Sequence, residues 1–160
     1  MGRLILLYLP EPAELLQRLL GLVRPGGLVV FQEMDMRTGR STPDCPLFAR
    51  AGDWLCTTFE RAGVDTHMGS HLYSTFRRAG LPEPELLSGA CVGGGEHTEL
   101  YELLTETLRS LLPLTVKLGV ATPQELQLDS LAQRLRAEVV ASGGVIHMPS
   151  YIGAWAHKPR

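Results

Sequence analysis

Residues 13–31, AELLQRLLGLVRPGGLVVF, decide the fold of this 160-residue chain. Apolar side chains at positions 15, 16, 19, 20 and 23 recur with the spacing of one helix face, which predicts an amphipathic helix over residues 13–23. The sequence Arg24-Pro25-Gly26-Gly27 ends that helix, because glycine supplies the backbone freedom that a sharp turn needs. Residues 28–31 are apolar and partly β-branched, which predicts a buried strand. Helix, tight turn and buried strand in this order form half of a βαβ unit.

The flanking segments extend this α/β pattern in both directions. Residues 4–9 are an apolar run that ends at Pro10, and periodicity does not distinguish a buried strand from a helical turn there. After a polar loop over residues 36–44, apolar spacing predicts helices over residues 46–62, 68–79, 98–118 and 122–141. Pro113 is expected to kink or split the third of these helices. Strands are predicted over residues 85–92 and 145–157, the second interrupted at Pro149.

Composition and charge exclude several classes of protein. Apolar residues make up 44% of the chain and charged residues 20%, and the length suits a single domain over residues 1–160. The net charge of −2 gives no attraction to nucleic acid or to an anionic membrane, and no apolar run is long enough to span one. Three cysteines without paired spacing argue against a disulfide framework and a zinc site, and favour a reducing, cytoplasmic location.

Residues 2–35 resemble the class I, Rossmann-like methyltransferases that use S-adenosylmethionine. In that family a helix ends in a basic residue followed by Pro-Gly-Gly, as at residues 24–27 here. The fifth strand of the family follows and ends in an acidic residue near the substrate, a position that Glu33 occupies in this chain. The later sequences over residues 68–81 and 153–156 are similar to the small-molecule branch of the family.

The resemblance implies a truncated sheet surrounded by helices. This α/β sheet would contain the fifth, sixth and seventh strands of the family, with the last two antiparallel. The glycine-rich loop that holds the cofactor in such folds has no counterpart here, because the glycines at 93–95 follow a weak, late strand. S-adenosylmethionine is the implied cofactor, although this chain alone lacks its main contacts, and the implied acceptor is a small organic molecule.

Two functions remain open at this stage. A completed site would transfer a methyl group to the acceptor, whereas a non-catalytic remnant would act as a binding or dimerisation module. The strand at 28–31 would lose its parallel neighbour, and an apolar edge strand invites pairing. We expect this edge to be covered by a second copy in a homodimer, by the N-terminal segment 4–9, or by the missing half on another chain.

Two acidic residues and two histidines are the candidates for substrate binding. Glu33 and Asp35 lie at the C-terminal end of the predicted strand and share one side of it if it stays extended; the alternative is a solvated strand end or a helix cap. His67 and His71 are four residues apart and can share a helix face. Without a third ligand they predict no metal site, but a histidine there suits a general base; the alternative is an ordinary surface or pocket-lining residue.

The resemblance adds three further candidates. It implies that Arg3 and Tyr8 lie near the methyl donor, against the alternative of an exposed N-terminal arm. Trp54 lies on the helix after the fifth strand, where small-molecule methyltransferases commonly carry a segment that covers the substrate. Aromatic side chains at helical spacing, such as Phe48 and Phe59 on the same helix, are more typical of core packing, so both roles stay open for Trp54.

Overall fold

The computed structural model describes the whole chain, residues 1–160, as a mixed α/β protein. Its contacts divide the chain into two compact units, each assembled from separate stretches of sequence. The sheet unit comprises residues 1–36, 64–89 and 150–160, and the helical unit comprises residues 37–63 and 90–149. In neither unit is any helix both long and apolar enough to cross a membrane.

Seven strands and six α-helices make up the regular structure. In chain order the strands are β1 (Gly2–Arg3), β2 (Leu28–Asp35), β3 (Arg40–Thr42), β4 (Glu85–Gly89), β5 (Val92–Gly94), β6 (Val145–His147) and β7 (Ser150–His157). The helices are α1 (Pro12–Leu20), α2 (Pro46–Arg61), α3 (Met68–Arg78), α4 (Leu100–Lys117), α5 (Pro123–Leu126) and α6 (Leu128–Ser142). Leu6–Tyr8 and Met36–Thr38 form single 3₁₀ turns.

The turn between α1 and β2 requires both of its glycines. Gly26 has a φ of +73°, a conformation that side chains with a Cβ rarely adopt. At Gly27 a Cβ would lie 2.6 Å from Cγ1 of Val23 and 2.8 Å from the Arg24 carbonyl. The backbone of this turn also pairs with the end of the chain, where Gly26 N donates to Lys158 O and Lys158 N donates to Gly27 O. The predicted glycine-dependent turn is therefore confirmed, although the helix itself ends earlier, at Leu20.

The sheet unit contains a four-stranded mixed sheet in the order β1-β2-β7-β4. Strand β1 runs parallel to β2, and β7 lies between β2 and β4, antiparallel to both. The antiparallel pairing predicted for the last two strands is confirmed by the β4–β7 ladder. Alternate residues of β2 are buried, so that Val29, Phe31, Glu33 and Asp35 share one face, as the period of a strand requires.

The free edge of β2 is covered by its own chain only in part. Gly2 pairs with Phe31 and Arg3 with Gln32, and Leu4 N then donates to the Gln32 carbonyl. The expectation that residues 4–9 would cover this edge is wrong in its boundaries, because Leu4 takes a φ of +50° and turns the chain out of the strand. Residues 6–8 then form the first 3₁₀ turn, and positions 28–30 have no partner on that side.

Three predicted elements differ from the structure for local reasons. Helix α1 ends at Leu20 and not at 23, because residues 21–23 continue as turns. Helix α4 runs unbroken through Pro113, whose side of the helix is exposed, so that water can hydrate the carbonyl that proline leaves unpaired. The polar loop at 36–44 contains β3. The helical prediction over residues 122–141 takes the form of a pair of helices, α5 and α6, which separate at Gln127, where φ is +46°.

Both long predicted strands are divided between the two units. Residues 85–92 separate into β4 of the sheet unit and β5 of the helical unit. Residues 145–157 separate in the same way into β6 and β7. Strand β6 is the centre of a second, antiparallel sheet in the order β3-β6-β5.

The core of the helical unit lies among α2, α4 and α6. These helices pack against one another, and the Thr58 and Thr115 hydroxyls form a buried hydrogen bond of 3.1 Å within the unit. Cys45 and Cys56 are buried and Cys91 is exposed, and no disulfide joins any of the three. The fully buried side chains of this core include Tyr101, Leu108, Leu126, Leu131, Leu135, Val139 and Ile146.

The buried phenol of Tyr101 should make the helical unit sensitive to alkaline pH. Its hydroxyl donates to the Gly95 carbonyl at 3.0 Å, and burial raises its pKa above the ordinary value of 10.0. Because the folded pKa is raised, the stability that this group supports is present below about pH 10 and is lost as the pH rises toward the folded pKa. We expect Tyr101→Phe to cost about 0.5–1.5 kcal/mol at pH 7 and to flatten the decline at higher pH, measured by urea unfolding across that range. An unchanged alkaline slope in the variant would contradict this.

Candidate functional site

The candidate site lies at the carboxyl end of β2. This strand ends at Asp35, whose carboxylate is almost wholly buried, and its parallel neighbour β1 ends earlier, opposite Gln32. In open α/β sheets, ligands bind beyond the carboxyl ends of parallel strands. Asp35 therefore occupies the kind of position at which the sequence analysis placed it.

Helix α3 supplies two partners for Asp35. The Ser70 hydroxyl donates to Oδ2 of Asp35, and Nδ1 of His67 lies 3.3 Å from Oδ1. His67 is the residue that precedes the first turn of α3, and Ser70 lies within that turn. The N-terminus of a helix carries a partial positive charge that stabilises an anion beside it. The fold thus compensates in part for the burial of this carboxylate.

Gly69 allows α3 to approach β2 closely enough for these contacts. A Cβ at this position would lie 3.0 Å from both Asp35 N and Met34 C, and 3.2 Å from Cδ1 of Ile152. Backbone atoms of a central strand cannot move aside as the end of a flexible side chain can. The glycine therefore fixes the distance between the helix N-terminus and the end of the strand.

Substituting Gly69 should separate α3 from the end of β2. We expect Gly69→Ala to destabilise the protein by about 1–3 kcal/mol, the usual cost of overpacking, despite the better helix propensity of alanine. Chemical denaturation measures this difference. Gly52→Ala is the matched control, because Gly52 lies within α2 and no atom would meet its Cβ; that variant should be stabilised by up to about 1 kcal/mol. Equal effects at the two positions would exclude close approach as the reason for Gly69.

A second carboxylate–histidine pair lies next to the first. Nδ1 of His71 is 2.7 Å from Oδ2 of Asp65, and Oδ1 of Asp65 accepts a hydrogen bond from the backbone N–H of His67 at 2.9 Å. The rings of His67 and His71 have centroids 6.3 Å apart. About half of each histidine side chain is exposed, while Asp35 is buried. The two histidines therefore lie close together, although His67 precedes helix α3 and is not part of it.

The two pairs have one chemical consequence in common. An ionised carboxylate only accepts hydrogen bonds, so the Nδ1 atom that faces it carries the proton. In the neutral imidazole this leaves the lone pair on Nε2, and neither Nε2 has a protein partner in this structure. A histidine held in this tautomer by a carboxylate is equipped to accept a proton from a bound molecule.

Glu33 has different surroundings from Asp35 although both lie on one face of β2. It is fully buried, and its Oε1 accepts hydrogen bonds from the backbone N–H groups of Ile5 and Leu6 at 3.0 and 2.9 Å. Its Oε2 is also buried and has no partner. The structure thus places Glu33, predicted to bind substrate, against the N-terminal turn.

The remaining candidates make other contacts. The Arg3 guanidinium lies 5.6 Å from the centroid of the Tyr151 ring, in cation–π geometry, and Tyr8 is largely exposed on the 3₁₀ turn. Trp54 belongs to the helical unit, where it packs, partly buried, against the core together with Phe59. Neither unit contains a group of three or more His, Cys, Asp or Glu side chains that could hold a metal ion.

Sequence reasoning did not identify two members of the site, Asp65 and Ser70. Asp65 lies two residues before His67 and six before His71, and a short carboxylate ahead of a helix start is a typical capping signal. That signal was available in the sequence. Ser70 carries none of its own, because its partner Asp35 is 35 positions away.

Comparisons with known proteins find similarity among solved structures. No protein-family model matches the chain, and no curated protein matches it. Among solved structures it is similar to the phosphoethanolamine N-methyltransferase 2 of Haemonchus contortus, in complex with phosphomonomethylethanolamine and S-adenosylhomocysteine, with 13% identity and a TM-score of 0.47. The match covers 99% of this chain and 32% of that one. A likeness of this strength identifies neither a substrate nor a reaction for this chain.

Proposed function

We propose that this chain forms the acceptor side of an S-adenosylmethionine-dependent methyltransferase and that, with a complete cofactor site, it serves methyl transfer to a small organic molecule. The observation that carries the proposal is the Asp35–His67 pair at the carboxyl end of β2. The strand order, with β7 antiparallel between β2 and β4, supports it, because the family resemblance implies an antiparallel final pair. So does the Pro-Gly-Gly turn that leads into β2.

The role proposed for the pair is proton acceptance. A hydroxyl or ammonium acceptor must lose a proton before or during methylation. The His67 side chain is about half exposed, and its Nε2 is the ring nitrogen that would take this proton. Asp35 holds the ring in the required tautomer and stabilises the imidazolium that forms. A correctly placed base of this kind contributes about 10²–10⁴-fold to a rate.

The glycine cluster at 93–95 does not form a cradle for the methyl donor. It belongs to the helical unit. A Cβ at Gly93 would lie 2.2 Å from Oγ1 of Thr98, and one at Gly94 would lie 2.6 Å from the Gly144 carbonyl. Gly93 and Gly94 serve internal packing, so the proposal does not place the methyl donor against them.

A non-catalytic binding or dimerisation module is the second candidate. It is favoured by the edge of β2 that faces away from β7, where positions 28–30 have no strand partner and Leu28 is half exposed. An unpaired apolar edge is a surface that a second chain can extend. We expect light scattering at micromolar concentration to report a dimer if a second copy covers this edge. A monomer would exclude that version.

Calorimetric titration with S-adenosylmethionine tests the leading proposal. A Kd tighter than about 100 μM, roughly −5.5 kcal/mol, would exclude the remnant. Arg3→Ala should weaken such binding if Arg3 lies near the donor, and His97→Ala in the helical unit serves as the surface control. The absence of any heat with the chain alone would contradict independent cofactor binding.

A further inference from the structure

We propose that Glu33 is a positioning residue for the two carboxylate–histidine pairs, acting through the N-terminal turn Leu6–Tyr8. This inference rests on the proposed function for the meaning of the pairs, but not for its test. It assigns Glu33 a role other than contact with substrate. Three consecutive hydrogen-bonded links, all within the sheet unit, carry the argument.

The first link joins Glu33 to the N-terminal turn. The turn begins with backbone N–H groups that have no partner inside it, as at the start of any helix. Oε1 of Glu33 accepts from two of them, Ile5 N and Leu6 N. The chain enters this turn through Leu4 in a left-handed conformation, which is unfavourable for leucine and persists only where the surroundings hold it. The Glu33 carboxylate holds it on one side, and the hydrogen bond from Leu4 N to the Gln32 carbonyl holds it on the other.

The second link joins the turn to the loop that precedes α3. The side chains of Leu6 and Leu7 are fully buried, which fixes the turn against the core. The carbonyl of Leu7 accepts a hydrogen bond from Asp65 N at 2.9 Å. The position of Asp65 is therefore set from the turn as well as from α3. On its other side the loop is held by Met36 N, which donates to Thr66 O at 2.8 Å.

The third link joins Asp65 to both histidines. One of its carboxylate oxygens accepts from His67 N, and the other lies against Nδ1 of His71. Its backbone carbonyl also accepts from Met68 N in the first turn of α3. A shift of Asp65 would therefore turn His67 away from Asp35 and release His71. The geometry of both pairs depends on the loop that the N-terminal turn supports.

The chemical character of position 33 agrees with this role. Val29 and Phe31, on the same buried face of β2, are apolar, as packing alone favours. A buried carboxylate is costly there, and the unpartnered Oε2 adds to the cost. The need to accept two N–H groups at one atom explains a carboxylate at this position. An apolar side chain cannot replace it.

Three variants of the full chain test the proposal by nuclear magnetic resonance without any methyl donor. Glu33→Gln keeps the double acceptor, Glu33→Met removes it, and Glu85→Met removes an exposed carboxylate from the same sheet as a control. In Glu33→Met we expect the Ile5, Leu6 and Asp65 amides to exchange at least about tenfold faster. The ¹⁵N shifts of His67 and His71 should also lose the Nδ1–H signature.

In Glu33→Gln the exchange rates and the histidine shifts should stay close to those of the unchanged protein. Glu85→Met should change neither. Faster exchange at Ile5 and Leu6 with unchanged Asp65 exchange and unchanged histidine tautomers would overturn the proposal, because Glu33 would then hold only the N-terminal turn. If Glu33→Met does not fold, Glu33→Asp keeps the charge, withdraws it by one methylene and should give the same losses. Neither result depends on cofactor binding or turnover, so a failure here is separate from a failure of the proposed function.

Discussion

Phe76→Ala is expected to lower the free energy of unfolding by about 3–5 kcal/mol, the range for removing a buried phenylalanine. Phe76 lies on α3 and is fully buried. Its ring meets that of Phe31 on β2 edge to face, with centroids 6.3 Å apart and an interplanar angle of 84°. Such a pair contributes about 0.5–1.5 kcal/mol beyond the area that it buries. The variant loses this pair and leaves a cavity between helix and sheet.

Urea unfolding followed by circular dichroism measures this loss. Tyr73→Ala is the control, because Tyr73 lies on the same helix and is 41% exposed, so its removal should cost well under half as much. A difference between the two variants of less than about 1 kcal/mol would mean that α3 is not docked on β2 as described. Since α3 also carries Ser70 and follows His67, the same loss of docking should broaden the resonances of the candidate site.

The elements predicted correctly are those whose signals are local. Apolar spacing specifies helix α1 and strand β2. Two glycines specify the turn between them, Gly26 through its positive φ and Gly27 through the clash that a Cβ would cause. The placement of Glu33 and Asp35 on one face of β2 also follows from the period of a strand alone. Each of these inferences needs only neighbours within about one turn or one pleat.

The errors arise where the deciding partner is distant in sequence. The segment 85–92 reads as one strand, and the segment 145–157 as one strand interrupted at Pro149. Each in fact contributes to two separate sheets, and only the long-range pairings reveal this. The turn at Leu4 depends on Glu33, nearly 30 residues later. Likewise the partnership of Asp35 with His67 spans 32 positions and with Ser70 spans 35. Composition and periodicity carry no information on such contacts.

The different surroundings of Glu33 and Asp35 illustrate the limit most directly. Their residue types and spacing suggest the same role, and one strand presents both. The N-terminal turn lies against Glu33, whereas the N-terminus of α3 lies against Asp35. Packing decides which of the two acids faces the half-exposed side chain of His67, and therefore which acid is available for chemistry.

In an assembled enzyme, Asp35→Asn is expected to lower kcat for methyl transfer by about 10²–10⁴-fold, the effect of losing a correctly held base. The prediction rests on the proposed function. Asparagine keeps the size of the side chain, but its amide can donate to Nδ1 of His67, which would shift the ring proton to Nε2. His67 would then present an N–H group at Nε2, where the methyl-accepting molecule needs a lone pair to take its proton. A radiolabelled methyl-transfer assay under single-turnover conditions isolates this step from cofactor binding.

Matched variants assign the effect to one pair. His67→Asn should reduce the rate as much as Asp35→Asn, and the double variant should be no slower than either, because the two side chains act as a unit. Asp65→Asn keeps the cap on His67 N through its amide oxygen and disturbs chiefly His71, so its effect should be at least tenfold smaller. If Asp65→Asn proved the more damaging change, the base would be His71, and the carboxyl end of β2 would serve binding and not proton transfer.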